Sequence, residues 1–343
     1  MKLWRVGIVG LGAAARNIHL PALRKLGFVE IVGGFDPLAS VDGIPSFLSI
    51  EALLAEKLDL VIIATPPAAR IPVIQAAFAA GCHIFCEKPL ANSLVEADEI
   101  IALANAAGRH LVLNSEFPFM PIHRAARKLI GTPQFGALRF LDVQQYFHVT
   151  DNTEAGWRGT DIQRTFKEFG THVLDLCIDF FGEKPIGYDA VMPGIVSGTK
   201  PDYLNLVRLQ FSGDRFAQIT LDRFTKGRHR YLEMRLVGEH ATIETSIGGR
   251  ASLAVGVNPQ GRKPFLDIDV AGGGSARLYT GERYRTIARS PLDLFADATA
   301  RLLTAALEAI ETGGTPPNNL ADARATLAIL YGCYDVARTH IRS

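Results

Sequence analysis

The feature that most constrains the fold of this chain is a glycine-rich turn near its N-terminus. Residues 6–15 read VGIVGLGAAA, in which Gly10, Gly12 and Ala15 match the pattern G-x-G-x-x-G/A. The turn follows an apolar strand-like segment and begins a helical one, so it predicts a dinucleotide-binding βαβ unit whose helix N-terminus faces a pyrophosphate. The residues expected to contact the cofactor in this turn are Gly10, Gly12, Ala13, Ala14 and Ala15.

The segments that follow the turn alternate between short apolar runs and helical stretches as far as residue 118. The strand-like runs are 3–9, 28–35, 58–64, 83–86 and 110–114, and the helical stretches are 14–26, 50–56, 69–80 and 94–107. This alternation predicts a doubly wound parallel sheet of the Rossmann type. Ser93 with Glu96 shortly after it predicts a capping box at the start of the last of these helices.

Beyond Pro118 and Pro121 the pattern changes, because strand-like runs follow one another with only short turns between them. These runs are 137–149, 203–211, 216–224, 231–237 and 241–245. One helix is predicted between Pro121 and the first of these runs, and the others are 165–181, 292–311 and 320–341. Such an order predicts a largely antiparallel open sheet. The expected fold class is therefore α/β, with a Rossmann domain at 1–118 and an α+β domain for substrate binding and oligomerisation at 119–343.

Asp36 bears on which nicotinamide nucleotide is bound. It stands at the end of the second strand-like run, where a carboxylate accepts hydrogen bonds from ribose hydroxyls and repels a 2′-phosphate. The segment 37–50 contains no Lys or Arg that could receive such a phosphate. The sequence therefore predicts that NAD(H) is preferred over NADP(H).

The composition favours a small-molecule partner over nucleic acid or a membrane. Lys and Arg number 36 against 35 Asp and Glu, so the formal net charge is only +1. Such a chain has no global field that would concentrate polyanions at its surface. The four cysteines form neither a disulfide framework nor a zinc-ligand cluster, so we expect buried thiols, no bound metal and a cytoplasmic location.

Several later segments resemble a known family. Residues 65–66 read TP, 79–81 read AAG and 87–89 read EKP, which is a specific pattern when it follows a dinucleotide-binding turn. Further on the chain reads NSEF at 114–117, WR at 157–158, EFGTHVLD at 168–175 and LVGEHA at 236–241. Together these segments resemble the glucose-fructose oxidoreductase/inositol dehydrogenase (Gfo/Idh/MocA) family, and the resemblance spans most of the chain.

Lys88 follows the fourth strand-like run, at the edge of an open α/β sheet where ligands bind. A cation there can hold a substrate oxygen and stabilise alkoxide character as a hydride leaves. The family resemblance assigns the catalytic lysine to this position and implies a cis peptide bond between Lys88 and Pro89. We also expect Thr65, Pro66, Glu87 and Lys88 to contact the cofactor.

His172 lies four residues after Glu168 on a predicted helix, so both side chains project from one helix face. A histidine titrates near neutrality and can exchange a proton with a hydroxyl, while a neighbouring carboxylate orients it. A helical histidine taken alone is more often a core or surface residue. The family resemblance implies that His172 transfers the proton and that Glu168 assists it.

This chain departs from the family pattern around the predicted proton-transfer residue, His172. The family usually has Asp where this chain has Glu168, and a glycine run where this chain has RTFK at 164–167. The longer acid weakens the helper assignment, and the bulkier segment should reshape the substrate pocket. Arg164 and Lys167, with Arg158, either hold an acidic or phosphorylated substrate or are solvated charges at a helix start. The residues predicted to bind substrate are Lys88, Trp157, Arg158, Arg164 and His172.

The resemblance implies reversible hydride transfer between nicotinamide and the carbinol or carbonyl carbon of a sugar, polyol or sugar derivative. It also allows redox-neutral glycoside cleavage through a transient ketone. A nucleotide-binding sensor with the same fold and no turnover is the alternative from another functional class. One strand-like run, 204–211, carries apolar residues on both faces, which predicts a homodimer or homotetramer that covers the second sheet.

Overall fold

The computed structural model describes residues 2–147, 161, 163–194, 202–226, 231–254 and 265–339. The chain divides into two compact units. The first comprises Met1–Phe119 and Phe295–Tyr331, and the second comprises Met120–Leu294 and Gly332–Ser343. The sequence analysis assigned Phe295–Tyr331 to the second domain, whereas its contacts group it with the first unit. The linear domain boundaries, 1–118 and 119–343, stay a prediction.

Five strands form the sheet of the first unit. They are β1 (Trp4–Val9), β2 (Val29–Phe35), β3 (Leu60–Ile63), β4 (His83–Glu87) and β5 (Leu111–Asn114). All neighbouring pairs are parallel, in the order β2-β1-β3-β4-β5. The predicted parallel Rossmann sheet is confirmed, and each strand lies within or beside its predicted run.

In the described residues of the second unit, eight strands form one sheet. They are β6 (Leu138–Tyr146), β7 (Gly187–Val191), β8 (Leu204–Phe211), β9 (Arg215–Asp222), β10 (Leu232–Gly238), β11 (Thr242–Ala254), β12 (Phe265–Thr280) and β13 (Arg283–Ser290). Their order is β13-β12-β11-β10-β6-β9-β8-β7, and only β6 and β9 pair in parallel. The predicted antiparallel character is confirmed. The sequence analysis missed β7, β12 and β13, because β7 is short, β12 contains a glycine run and β13 is an exposed edge strand.

Eight α-helices lie within the described residues, and the fourth of them has clear start and stop signals. They are α1 (Leu20–Leu23), α2 (Ile50–Leu54), α3 (Arg70–Ala79), α4 (Leu94–Ala107), α5 (Pro121–Leu129), α6 (Thr171–Phe181), α7 (Leu294–Glu311) and α8 (Leu320–Thr339). The hydroxyl of Ser93 accepts the N–H of Glu96 at 3.1 Å, and Gly108 ends α4 with a φ of 60°. The predicted cap at Ser93 is therefore confirmed, and Gly108 is a left-handed helix end of the usual kind.

The first sheet is buried on both faces, which explains its continuous apolar runs. Within β3, Leu60 and Ile62 pack into one core with Leu302 and Leu307 of α7. The alternate β3 residues, Val61 and Ile63, belong to a second core on the other face, to which α3 and α4 contribute. Alternation along one strand thus supplies both layers of a doubly wound fold.

The second sheet is buried on one face, where α5 packs against β11, β12 and β13, and α6 packs against β6. Along β8 the buried residues are Asn205, Val207, Leu209 and Phe211, whereas Leu206, Arg208 and Gln210 are exposed. Apolar residues of β8 therefore occur on the open face only at its start. All four cysteines of the chain are buried free thiols, as predicted. Within the described segments, no helix has the length and apolar character needed to span a membrane.

Candidate functional site

The glycine-rich turn joins β1 to a helix at the carboxyl edge of the first sheet. Gly10 has a φ of +92°, and a Cβ there would lie 2.8 Å from the carbonyl carbon of Ala64 and 2.9 Å from the Thr65 nitrogen. This position therefore requires glycine, because the loop after β3 passes directly beside it. A Cβ on Gly12 would meet no atom within 4 Å, so the backbone there borders open space.

The helix that follows the turn begins without a cap. Ala13 is exposed and Ala14 is half-buried, and the π-helical turn Ala15–His19 continues into α1. Among the described residues, no side-chain hydrogen bond caps the π-helical turn at Ala14, and its first turn contains no acidic residue. Ala15 is fully buried against the sheet, which fits its predicted packing role. An uncapped helix start beside an open glycine backbone fits the pyrophosphate of a dinucleotide.

Asp36 lies beside this turn at the end of β2. Its carboxylate accepts the N–H of Leu11 at 2.8 Å and the N–H of Leu38 at 2.8 Å, so its orientation is fixed by the backbone. The sequence analysis overlooked a nearby cation, Arg16, whose guanidinium donates to Leu11 and Ser40 carbonyl oxygens at 2.9 and 3.2 Å. Arg16 belongs to the helix after the turn and so lies outside the segment 37–50, which contains no Lys or Arg.

Thr65 and Pro66 form the loop after β3, next to the turn. Pro66 is exposed, and the hydroxyl oxygen of Thr65 is buried without a hydrogen-bond partner within the described residues. Because β3 neighbours β1 on the side opposite β2, Thr65 and Asp36 flank the glycine-rich turn from opposite sides. A dinucleotide that crosses the turn would therefore have one half beside Asp36 and the other beside Thr65.

Glu87 ends β4 in a buried polar network. Its carboxylate accepts hydrogen bonds from Nε2 of His19 and from Nδ2 of Asn114, each at 2.8 Å, and the hydroxyl of Thr299 donates to Oδ1 of Asn114 at 3.2 Å. Burial opposes ionisation of Glu87. The hydrogen bond and charge of His19, the charge of Lys88 and the Asn114 amide outweigh it and hold the pKa of Glu87 well below its usual range. The carboxylate is therefore engaged by the protein itself.

Lys88 follows directly at the carboxyl edge of β4 and is half-buried. The peptide bond between Lys88 and Pro89 is cis, as predicted. The sequence analysis missed the residue that holds this turn, Arg70. Its guanidinium donates to the carbonyl oxygens of Lys88 and Pro89. The neighbouring sequence does not predict this role, because Arg70 stands at the start of an otherwise apolar helix.

In the second unit the predicted proton-transfer residue, His172, lies where a π-helical turn, Phe166–Gly170, leads into α6. His172 is 5% exposed, and the carboxylate of Glu168 pairs with Nε of Arg164 at 3.3 Å. Gly170 allows this geometry, because a Cβ there would lie 2.4 Å from the ring of buried Phe166. The predicted group Arg164, Glu168 and His172 thus shares one helix start.

A buried carboxylate that the sequence analysis missed, Asp202, closes this helix start. Its oxygens accept the N–H groups of Arg164, Thr165 and Phe166 at 2.7 to 2.9 Å. The hydroxyl of Tyr334 donates to the same carboxylate at 2.6 Å. Burial raises the pKa of Asp202, although these donors oppose the rise. Asp202 lies far from the helix in sequence, so only the folded chain shows this cap.

The remaining predicted site residues are Trp157, Arg158 and Lys167. Trp157 and Arg158 lie outside the described residues. Lys167, which the sequence analysis considered as an anion ligand, forms an ion pair with Asp161. The first unit gathers Gly10, Gly12, Asp36, Thr65 and Lys88 at one sheet edge, and the second unit gathers Arg164, Glu168 and His172. Among the described residues, no cluster of His, Cys, Asp and Glu could hold a metal ion.

Two protein-family models match this chain. Residues 4–115 match the model of the oxidoreductase family with an NAD-binding Rossmann fold, and residues 123–244 match the Gfo/Idh/MocA C-terminal domain. The chain belongs to the Gfo/Idh/MocA oxidoreductase family. The resemblance inferred from the EKP and EFGTHVLD segments is thereby confirmed.

Individual relatives are similar to this Gfo/Idh/MocA chain at low identity. A UDP-N-acetylglucosamine 3-dehydrogenase from Acidithiobacillus ferrooxidans is 27% identical, over 70% of this chain and 74% of the relative. A D-apiose dehydrogenase from Paraburkholderia graminis is 28% identical, over 53% of this chain and 51% of the relative. The chain spans about half the length of several curated relatives that it matches.

A solved structure shows the same fold over the whole chain. It is an oxidoreductase from Agrobacterium radiobacter in complex with NAD⁺, L-tartaric acid and magnesium. The two chains superpose with a TM-score of 0.78 over 99% of this chain and 97% of the other, at 15% identity. The fold class predicted from the sequence is thus confirmed by the family models and by this neighbour.

Proposed function

We propose that the chain is an NAD(H)-dependent dehydrogenase or reductase that acts on a CH–OH group of a sugar, polyol or sugar derivative. The observation that carries the proposal is the position of Lys88, which directly follows β4 at the same sheet edge as the helix start after β1. The dehydrogenase names of the relatives that act on UDP-N-acetylglucosamine and D-apiose support the substrate class.

In the direction of oxidation, His172 removes the hydroxyl proton and Lys88 holds the oxygen as the carbonyl forms. The nicotinamide cofactor, when bound, supplies the acceptor for the hydride. A positioned imidazole is suited to the proton step because it titrates near neutrality. The ammonium group of Lys88 stabilises negative charge that develops on the oxygen. Glu168 assists His172 from the preceding turn and is itself oriented by Arg164.

The cofactor is held by the first unit in this proposal. Gly10, Gly12, Ala13, Ala14 and Ala15 hold the pyrophosphate, and Thr65, Pro66, Glu87 and Lys88 border the nicotinamide half. NAD(H) is preferred because the Asp36 carboxylate, fixed by two backbone N–H groups, is suited to ribose hydroxyls and repels a 2′-phosphate. Arg16 weakens this preference without reversing it, because its guanidinium donates to two carbonyl oxygens.

Substrate binding rests on Lys88 and His172, with contributions from Trp157, Arg158 and Arg164. The ion pairs of Arg164 and Lys167 favour a neutral sugar portion beside His172, because each cation already faces a carboxylate. We further propose a homodimer or homotetramer in the cytoplasm. Exposed apolar residues at the β7 end of the second sheet support association, among them Ile186 and Val191 at 68 and 45% exposure.

The proposal is tested by adding a panel of sugars, polyols and nucleotide sugars to the protein with NAD⁺. We expect reduced nicotinamide to form with at least one member, and Lys88→Ala to abolish the signal while NADH still binds. Binding of NADH without turnover of any member would favour a sensor instead. Glycoside cleavage without net reduction of NAD⁺ would contradict the proposed net reaction. Light scattering that gives a monomer mass, 37.2 kDa, would contradict the oligomeric state.

A further inference from the structure

Arg70 is a buried cation at the carboxyl edge of the first sheet. It is the first residue of α3 and is 2% exposed. Arginine is seldom buried to this extent, and a cation at a helix N-terminus is disfavoured by the helix dipole. In the part of the chain that the structure describes, Arg70 also forms no ion pair with a carboxylate. Both burial and the helix dipole therefore act against this residue, so its hydrogen bonds must offset the cost.

Those hydrogen bonds all go to backbone carbonyl oxygens. Nε donates to Thr65 at 3.1 Å, Nη2 donates to Lys88 at 3.4 Å and Nη1 donates to Pro89. Thr65 follows β3, and Lys88 and Pro89 follow β4. Because β3 and β4 are adjacent parallel strands, one guanidinium spans the two loops that leave neighbouring strands at the same edge.

We propose that Arg70 is a positioning residue that couples the cofactor loop at Thr65 to the turn that carries Lys88. The inference rests on the proposed function, because it gives a role to the distance between these two loops. A planar guanidinium fixes several acceptors at once, since its donors point in set directions. Neither loop can then shift relative to the other without breaking a hydrogen bond to Arg70. Occupation of the cofactor loop and the placement of Lys88 therefore depend on each other.

The chain offers a matched control in Arg109. This arginine also holds a backbone turn, because its Nε donates to the carbonyl oxygen of Gly81 at 2.6 Å. Gly81 precedes β4, so the contact lies at the amino edge of the sheet, and Arg109 is exposed. Arg70 and Arg109 therefore differ in the sheet edge and in burial, while both bind carbonyl oxygens next to the same strand.

The experiment compares Arg70→Lys with Arg109→Lys in the full chain. The measurements are kcat, the KM for substrate, and the dissociation constants of NADH and of ADP-ribose, which lacks nicotinamide. In Arg70→Lys we expect kcat to fall about 10- to 100-fold, as misplaced reacting groups typically cause. We expect the affinity for NADH to fall more than that for ADP-ribose, whereas Arg109→Lys should match the parent in every measurement.

A purely structural role for Arg70 would give a different result. The two nucleotides would then lose affinity together, in step with the thermal unfolding midpoint, and this outcome would overturn the proposal, as would parental kinetics in Arg70→Lys. If Arg70→Lys does not fold, Arg70→Gln tests the same split, because a neutral amide keeps N–H donors without a buried charge. A parent that binds NADH but turns over no substrate refutes the proposed function. The ratio of NADH to ADP-ribose affinity still judges the coupling in that case.

Discussion

Two helix starts in this protein share a π-helical turn but leave their backbone N–H groups in opposite states. The turn at Ala15–His19 has no side-chain cap and borders open space at Gly12. The turn at Phe166–Gly170 follows three N–H groups that donate to the carboxylate of Asp202. The first start is open to an anionic ligand, and the second is already closed by an internal anion.

The difference between the two helix starts suits one to ligand binding and the other to proton transfer. An open helix start can hold a phosphate, but it fixes its own side chains weakly because a ligand has to supply the missing acceptors. A closed start cannot hold a second anion, yet it orders the side chains that follow, here Glu168 and His172. The first unit is therefore suited to hold a dinucleotide, and the second is suited to hold a proton-transfer group in a fixed orientation.

The largest effect should come from removing the reacting groups in either unit. Lys88→Ala and His172→Ala should each lower kcat roughly 10²- to 10⁴-fold, because in the proposed mechanism each removes a group that acts on the substrate oxygen. The NADH dissociation constant should stay near that of the parent, since the proposed site of the pyrophosphate is the glycine-rich turn. Steady-state kinetics measure kcat, and fluorescence titration measures the NADH dissociation constant. A kcat near the parental value in either variant would remove that residue from the mechanism.

Opening the closed helix start should have the next largest effect. Asp202→Ala leaves three backbone N–H groups without their acceptor, so we expect the free energy of unfolding to fall by about 2 kcal/mol. The kcat should fall as well, because Glu168 and His172 lose their fixed orientation, while NADH affinity stays parental. Glu183→Gln is the control, since Glu183 accepts the N–H of Ser212 at 3.0 Å on an exposed turn. Equal unfolding midpoints for the two variants would argue against a special role for Asp202.

Closing the open helix start should have a smaller effect. In Gly12→Ala the new methyl group meets no atom within 4 Å, so the unfolding midpoint should stay near the parental value. The same methyl group occupies space beside the backbone, so NADH affinity should fall about tenfold, which equals ~1.4 kcal/mol. Gly10→Ala should instead lower the midpoint, because its φ of +92° and the nearby Ala64 backbone leave no room. Parental NADH affinity in Gly12→Ala would place the pyrophosphate elsewhere.

The fold was predictable from the sequence where the structure is local. The glycine-rich turn, the alternating runs and the Ser93 cap each depend on residues close together in the chain. Arg70 and Asp202 were missed because their partners are carbonyl oxygens and N–H groups of other segments, and backbone groups leave no mark in a sequence. Strands β12 and β13 were not predicted, because an apolar pattern is what indicates a strand in a sequence. A glycine run interrupts that pattern in β12, and β13 is an exposed edge strand.

The smallest effect concerns the acid stability of the first unit. The pKa of Glu87 lies below its ordinary value of 4.5 in the folded protein, so the native state binds fewer protons than the unfolded chain at acidic pH. Its contribution to stability is present above pH 4.5 and is lost as the pH falls through the lower native pKa. Glu87→Gln should therefore flatten the fall of unfolding free energy below this pH. Glu56→Gln, at an exposed site, should follow the parent, and identical curves for all three proteins would contradict the buried network.

The central proposal is that Lys88 and His172 act on one substrate oxygen. A double-variant cycle tests it most directly, with kcat measured for the parent, Lys88→Ala, His172→Ala and the double variant on one substrate. Groups that act together are strongly non-additive, so the double variant should lose much less than the product of the two single losses. A loss equal to that product, with NADH affinity intact throughout, would show that the two residues act independently and would contradict the account.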